Sequence, residues 1–356
     1  MKITKIRSFV CDLENSKPYT IAFKTITEVN NVFFEVELEN GIIGIGSANP
    51  SEYVVGESFQ QCVSALSADK NQWLVGRSIS EFESLLKELF HHTPVNPSAR
   101  AAIDVALYDA FTQFLGIPLY KYLGRKVKSL ETSVTIGIMG VTETLQECKD
   151  YVDLGFNTIK VKLGHDLELD IERIRKMREI HGNSIVIRID ANQGYTADQT
   201  IRFYTETEGM DVELIEQPIP ADQIDELKGL PDRVKRIIAA DESLIGAKDA
   251  IKLVSDVPAC GIFNVKLMKC GGIYQGQKIV DIAENSGIEL MFGCNDESRV
   301  SITAALNLAY SSLNTKYIDL DGSFDIVKDI VEGGFDLKGG IMTPLDLPGL
   351  GIKRIG

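Results

Sequence analysis

Asp190, Glu216 and Asp241 each close an apolar run: Ser184 to Ile189, Val212 to Ile215 and Arg236 to Ala240. Isolated acids at the ends of consecutive runs supply hard oxygen ligands, the chemistry that suits a divalent ion such as Mg²⁺. An acid between a strand and a helix is also ordinary N-cap chemistry. What favours a site is the frame, because Lys160 and Lys162 lie in the run before the first acid and Lys266 follows the run after the last. Residues two apart share one face of a strand, so Lys160 and Lys162 point the same way. Directed inward, like charges, the metal and partial desolvation all lower a lysine's pKa toward the range of a general base. Two amines on opposite sides of one carbon, with a cation beside them, describe removal of a proton next to a carboxylate and its return from either face. Lys269, before Gly271 and Gly272, reads as a loop residue supporting the potential of the site. Asn192 either faces the same site or serves the turn before Gly194.

These residues need a frame that brings them to one place. From about residue 132 the chain alternates apolar strand-like runs with amphipathic stretches, the runs being Ser133 to Ile138, Thr158 to Leu163, Ile185 to Ile189, Val212 to Ile215, Arg236 to Ala240, Gly261 to Val265, Glu289 to Phe292 and Tyr317 to Leu320. Their centres lie roughly 25 to 28 residues apart, one strand, one helix and two short loops. Eight such units predict an α/β fold of the parallel TIM type, whose strands end on the catalytic face. A doubly wound sheet would carry a phosphate-binding glycine loop after its first strand, and none follows Ile138. In an eight-stranded ring the sixth strand lies opposite the second, which sets Lys266 across from Lys160 and Lys162.

Residues 1–125 read as an α+β capping domain, with β-type runs at Ile3 to Asp12 and Val32 to Leu38 and a hairpin signal at Asn40-Gly41. A helix is expected after Pro97, with Ser98 as N-cap, one apolar face through Phe114, and Gly116 as its stop. The barrel would occupy 126–325, and 326–356, rich in glycine and proline, would return to the capping domain. Gly44-x-Gly46 lies in a hairpin before any helix, which argues against a dinucleotide loop.

A formal charge of -14 disfavours nucleic acid and anionic membrane surfaces as partners. No apolar run approaches the ~18 residues of a membrane span, and a cytoplasmic location is expected. Six cysteines without CxxC spacing fit reduced packing thiols, with Cys294 the exception to watch.

Several motifs together resemble the enolase superfamily, and within it the muconate-lactonizing-enzyme subgroup, over nearly the whole chain. They are the stretch from Ala99 to Gly124, the Lys160-Val161-Lys162 triplet, RIDANQGY at 188–195, IEQP at 215–218, AADES at 239–243, NVKLMKCGG at 264–272 and PGLG at 348–351. The resemblance implies a (β/α)7β barrel capped by the N-terminal domain, Mg²⁺ on Asp190, Glu216 and Asp241, and Lys162 with Lys266 as the acid/base pair. The mandelate-racemase subgroup would want a histidine base near strand seven, and none of His91, His92, His165 and His181 fits. Asp319-Leu320-Asp321 in strand eight is similar to the DxD with which dipeptide epimerases hold a substrate α-ammonium. The Asp-Leu-Asp-Gly run is also good turn chemistry.

By the same resemblance, the stretch from Gly293 to Ser298 lines the substrate, placing Cys294 and Glu297 there with Lys160. Glu297 would orient Lys266. Lys24 stands where glutamate-specific relatives carry arginine, and lysine is not an equivalent fork for a carboxylate. The implied activity is epimerisation of the C-terminal residue of an Ala-Xaa dipeptide, Xaa apolar or Glu. The alternative is a muconate cycloisomerase or o-succinylbenzoate synthase, which would have no use for Asp319 and Asp321. Association into homo-oligomers is expected from the superfamily.

Overall fold

A computed structural model describes residues 1–14, 19–21, 24–26 and 29–355, and the side chains of residues 15–28 lie outside that description. The chain opens with an antiparallel sheet in which Ile3–Asp12 pairs with Asn30–Leu38, and Asn30–Leu38 with Ile43–Ala48. Val32, Phe33, Phe34 and Val36, β-branched and aromatic, suit a strand covered on both faces. Phe9 lies opposite Phe33 and their rings stack at 5.4 Å.

The Pro97–Leu115 helix packs on this sheet and departs from expectation in two ways. Asn96 is the N-cap residue, with Pro97 in the first turn and Ser98 inside the helix. The orphan N–H groups are instead met from a distance, since the Glu57 carboxylate accepts from Ser98 N at 2.7 Å and from Ala99 N. Ser98 is thereby freed to donate its hydroxyl to Met268 O. The second departure is burial, which is complete from Pro97 to Ala110 rather than confined to one face, while Phe114 is exposed. A helix apolar only on one stripe belongs at a surface; this one lies between the sheet and the barrel. Gly44 and Gly46 give it room, because a Cβ on Gly46 would lie 1.9 Å from Ala102 O.

Eight parallel strands follow in sequential order: Val134–Ile136, Thr158–Lys162, Val186–Asp190, Val212–Glu216, Ile238–Ala240, Ile262–Val265, Glu289–Gly293 and Thr315–Asp319. All eight expected runs are strands, and helices return the chain between them. The register pairs Lys162 with Asp190 and Asp190 with Glu216, so the charged ends come level on one face. The ring closes between its first and last strands through a parallel bridge from Thr132 to Ile318.

Beyond the barrel, Val331–Gly333 pairs with Ile352–Arg354, and Phe335–Lys338 forms a hairpin with Ile341–Pro344. Ile341–Pro344 also pairs with Leu130–Glu131, before the first barrel strand. The tail meets the N-terminal sheet as well: Arg354 pairs with Glu35, and Lys328 N donates to Leu13 O at 3.1 Å. Among the described residues no helix is long and apolar enough to cross a membrane.

Candidate active site

Strand alternation and the level register carry Asp190, Glu216 and Asp241 into the barrel mouth, where all three are at most 1% exposed. Carboxylates that deep require cationic or hydrogen-bonding partners. Lysines from neighbouring strands supply them. Lys162 Nζ lies 2.6 Å from Asp190 Oδ2, and Lys266 Nζ lies 2.7 Å from Asp241 Oδ2. The two amines therefore attach to opposite ends of an arc of acid whose middle member is Glu216. Lys160 sits beneath the arc, with its Nζ 2.7 Å from Glu216 Oε2, 2.7 Å from Asp319 Oδ2 and 3.3 Å from Asp190 Oδ2. Lys269 belongs to a short helix, Leu267–Cys270, rather than a loop. Its buried amine bonds both the carboxylate and the carbonyl of Asp241 and the carbonyl of Asn264.

Burial pushes each of these acids up, and what happens next depends on the partner. Lys162 and Lys160 outweigh burial at Asp190 and bring it to about 2. Lys266 and Lys269 do the same at Asp241, holding it well below the usual carboxylate range. Glu216, buried and beside Asp190, rises to about 8. Burial lowers Lys160 and Lys266, but without the ion the facing carboxylates outweigh it and hold both above an ordinary lysine.

The remaining expected residues fall at different depths. Asp319 is buried, bonded to Lys160 and to the Ser133 hydroxyl at 2.7 Å. Asp321 accepts from Thr135 N at 2.8 Å, and burial together with the Asp319 charge raises it to about 7. Cys294 Sγ donates to Asp319 O. Glu297 accepts from Asn295 N at 2.8 Å and rises to about 7 through burial, with Lys266 near enough to oppose the rise. Lys266 makes its direct contacts with Asp241 and Glu216, so any orienting by Glu297 acts at longer range. Asn192 takes a left-handed turn conformation, φ 43°, donates its N–H to Asp190 Oδ1, and points its amide at Glu242. The side chain of Lys24 lies outside the described residues, its backbone pairing with Ile21.

Two neighbours were not anticipated. Asn264, two residues before Lys266, donates to Glu216 Oε1 at 2.9 Å. Glu242, next to Asp241, is half-buried with its Oε2 enclosed, and rises to about 7 through desolvation and the charges of Asp241 and Asp190. The alternation of strand six signals Asn264, whereas Glu242 has the sequence setting of an ordinary solvated loop acid.

Among the described residues, no three acidic, histidine or cysteine side chains stand grouped as a metal cage, since each carboxylate is turned onto a lysine. The donor chemistry nevertheless fits a hard divalent ion. Three buried carboxylates end adjacent strands, and Glu216 Oε2, Asn264 Oδ1 and Glu242 Oε2 are buried without a directed hydrogen-bond partner. The ion contact of Glu216 Oε2 with Lys160 is close but not aligned as a hydrogen bond.

Residues 5–124 match the family model described as mandelate racemase / muconate lactonizing enzyme, N-terminal domain, and residues 143–354 match the enolase C-terminal domain-like model. The chain is 47% identical, over 100% of both chains, to an L-Lys-D/L-Arg epimerase of Desulforapulum autotrophicum. It is 46% identical to an L-Lys-D/L-Arg epimerase of Methylococcus capsulatus, over 99% of each. A crystal structure of dipeptide epimerase from Methylococcus capsulatus, complexed with Mg and the dipeptide L-Arg-D-Lys, superposes with a TM-score of 0.97, covering 99% of each chain at 46% identity.

Proposed function

The chain belongs to the mandelate racemase / muconate lactonizing enzyme family of the enolase superfamily, among its dipeptide epimerases, and we propose that it inverts the α-carbon of the C-terminal residue of a cationic dipeptide. It is an isomerase, and its cofactor is Mg²⁺. The observation that carries the reading is the placement of two amines, the half-buried Lys162 and the buried Lys266, at opposite ends of one arc of carboxylates.

Asp190, Glu216 and Asp241 would hold the ion, which when bound supplies positive charge beside the substrate carboxylate and takes up negative charge that otherwise falls on the lysines. The neutral amine of one lysine takes the Cα proton, leaving an enediolate anion. The ammonium of the other returns a proton to the opposite face, and the lysines exchange roles for the reverse direction. Lys160 and Lys269 hold the carboxylates in place. Asp319 and Asp321 receive the substrate α-ammonium, a charge-assisted pairing that a muconate or succinylbenzoate chemistry would not need.

For the side chains, the expected Ala-Xaa substrate with Xaa apolar or Glu gives way to Lys- and Arg-containing dipeptides. Two relatives at 46–47% identity over nearly the whole chain carry that activity in their names. The net charge of -14 also favours the approach of cations. Incubating the protein with Mg²⁺ and a dipeptide library in D₂O tests this directly: deuterium should enter the C-terminal residue's α-carbon fastest for Lys/Arg dipeptides. Faster uptake by Ala-Glu or by apolar dipeptides would overturn the cationic assignment, and no uptake by any dipeptide would overturn the activity.

A further inference from the structure

The barrel's seam is built differently from its other junctions. Elsewhere adjacent strands share a run of paired residues, whereas the first and last strands meet at one bridge, Thr132 to Ile318, with Ser133 N donating to Ile318 O at 3.2 Å. Side chains make the remaining joins. Thr132 Oγ1 accepts from Leu320 N at 2.9 Å, Asp321 Oδ2 accepts from Thr135 N at 2.8 Å, and Ser133 Oγ donates to Asp319 Oδ1 at 2.7 Å. Both acids of Asp319-Leu320-Asp321 therefore commit one oxygen to closing the ring.

Behind Ser133 lies Arg188, an inward residue of strand three, two before Asp190, and only 4% exposed. Its guanidinium is fixed on several sides: Nε to Glu213 Oε2 at 2.6 Å, Nη1 to Ile318 O at 2.7 Å, Nη1 to Ser133 Oγ at 3.4 Å, and the Tyr317 ring 5.3 Å away. The direction of donation is consistent along this row. Arg188 donates to the serine oxygen, and the serine proton goes to Asp319, whose Oδ1 can then only accept. A hydroxyl polarised by a buried cation is a stronger donor than a free one.

We propose that Ser133 and Arg188 are positioning residues for the ammonium subsite, holding Asp319, and through the seam Asp321, in the orientation that receives the substrate's α-ammonium. The proposal rests on the reading that these two acids bind that group. Ser133 and Arg188 direct their side-chain bonds to Asp319, Glu213, Ile318 and each other rather than to the lysines or the three acids of the arc, so their effect should fall on binding rather than on proton transfer.

The test compares Mg²⁺-loaded Ser133→Ala, Ser133→Thr and Arg188→Lys with the parent, using an Arg-Lys dipeptide as substrate and its N-acetylated form as competitive inhibitor. Ser133→Ala should raise KM about tenfold, the size of one charge-assisted hydrogen bond, with kcat within about twofold. The inhibition constant of the N-acetylated peptide, which has no ammonium, should not move. Ser133→Thr keeps the hydroxyl and should restore KM, and Arg188→Lys should give the same split as Ser133→Ala to a smaller extent. If Ser133→Ala does not fold, the Arg188→Lys split decides. Equal changes for substrate and acetylated inhibitor, or a fall in kcat at constant KM, would overturn the proposal in favour of a structural seam. Asp319→Asn and Asp321→Asn separate the two claims: if they too fail to distinguish the peptides, the ammonium reading itself is wrong, and if they do while Ser133→Ala does not, only the positioning role is.

Discussion

Two groups of carboxylates are buried to the same extent in this molecule and meet opposite fates. At the barrel mouth Asp190 and Asp241 face ammonium groups, which outweigh burial and keep both ionised. Along the Pro97–Leu115 helix and its approach, Asp104, Asp109 and Glu57 face mainly backbone N–H groups. Asp104 accepts from Ile273 N at 2.6 Å, and Asp109 from Ile45 N and Leu350 N. Burial wins there, pushing Asp104 to about 8 and Asp109 to about 6 and raising Glu57. Depth alone does not fix the charge of a buried acid: at Asp190 and Asp241 the amines decide it, whereas Glu216 between them rises to about 8. Amide donors fasten the capping helix to the barrel, and amine donors keep negative charge available at the mouth.

The largest test of this contrast removes the amines. Lys162→Ala and Lys266→Ala should each lower epimerisation by a factor on the order of 10³, within the range of general acid–base catalysis. Each variant should still exchange the Cα proton of one epimer in D₂O, opposite epimers for the two variants. Exchange of both epimers by either variant would break the assignment of one amine to each face. Next, Asp241→Ala strands Lys266 and Lys269 without their shared partner, and breaking a buried pair costs about 3–5 kcal/mol. Chemical denaturation should show the loss, and added Mg²⁺, expected to raise the Tm of the parent, should leave that of the variant unchanged.

Among the amide-bound acids the sign is reversed. Because the folded-state pKa of Asp104 is raised from 3.8 to about 8, its stabilising contribution is full at low pH and lost as pH rises through that window. Asparagine imitates the protonated acid, so the Tm of Asp104→Asn relative to the parent should climb between pH 5 and pH 9. A constant offset would show that Asp104 is ionised throughout. The smallest effect is expected at Ser98→Ala, about 1 kcal/mol for a hydrogen bond to Met268 O, with catalysis unchanged.

Sequence spacing is enough to read the barrel's strands and the arc of acids and lysines, because period-two alternation and strand ends are local properties. What escapes it is what distant residues decide. Ser98 has the chemistry of a cap, but Glu57, 41 residues away, performs that task. The direction of the Lys266 shift depends on which carboxylates converge on it in space, and spacing gives only that some do. Lys269 has the sequence setting of a turn residue because Gly271 and Gly272 follow it; its amine is instead folded back under Asp241. The seam is not legible at all, since Ser133, just before the first barrel strand, Arg188 on the third and Asp319 on the last are far apart in the chain.

The ion pair of Arg354 with Glu35 joins positions separated by 319 residues. On the ribosome, at about 5–20 residues per second, the first sheet waits on the order of tens of seconds for that final partner. Nascent chains should therefore complete their barrel strands while the amino-terminal region still lacks its clasp. A chaperone binding there would have its longest opportunity during this interval.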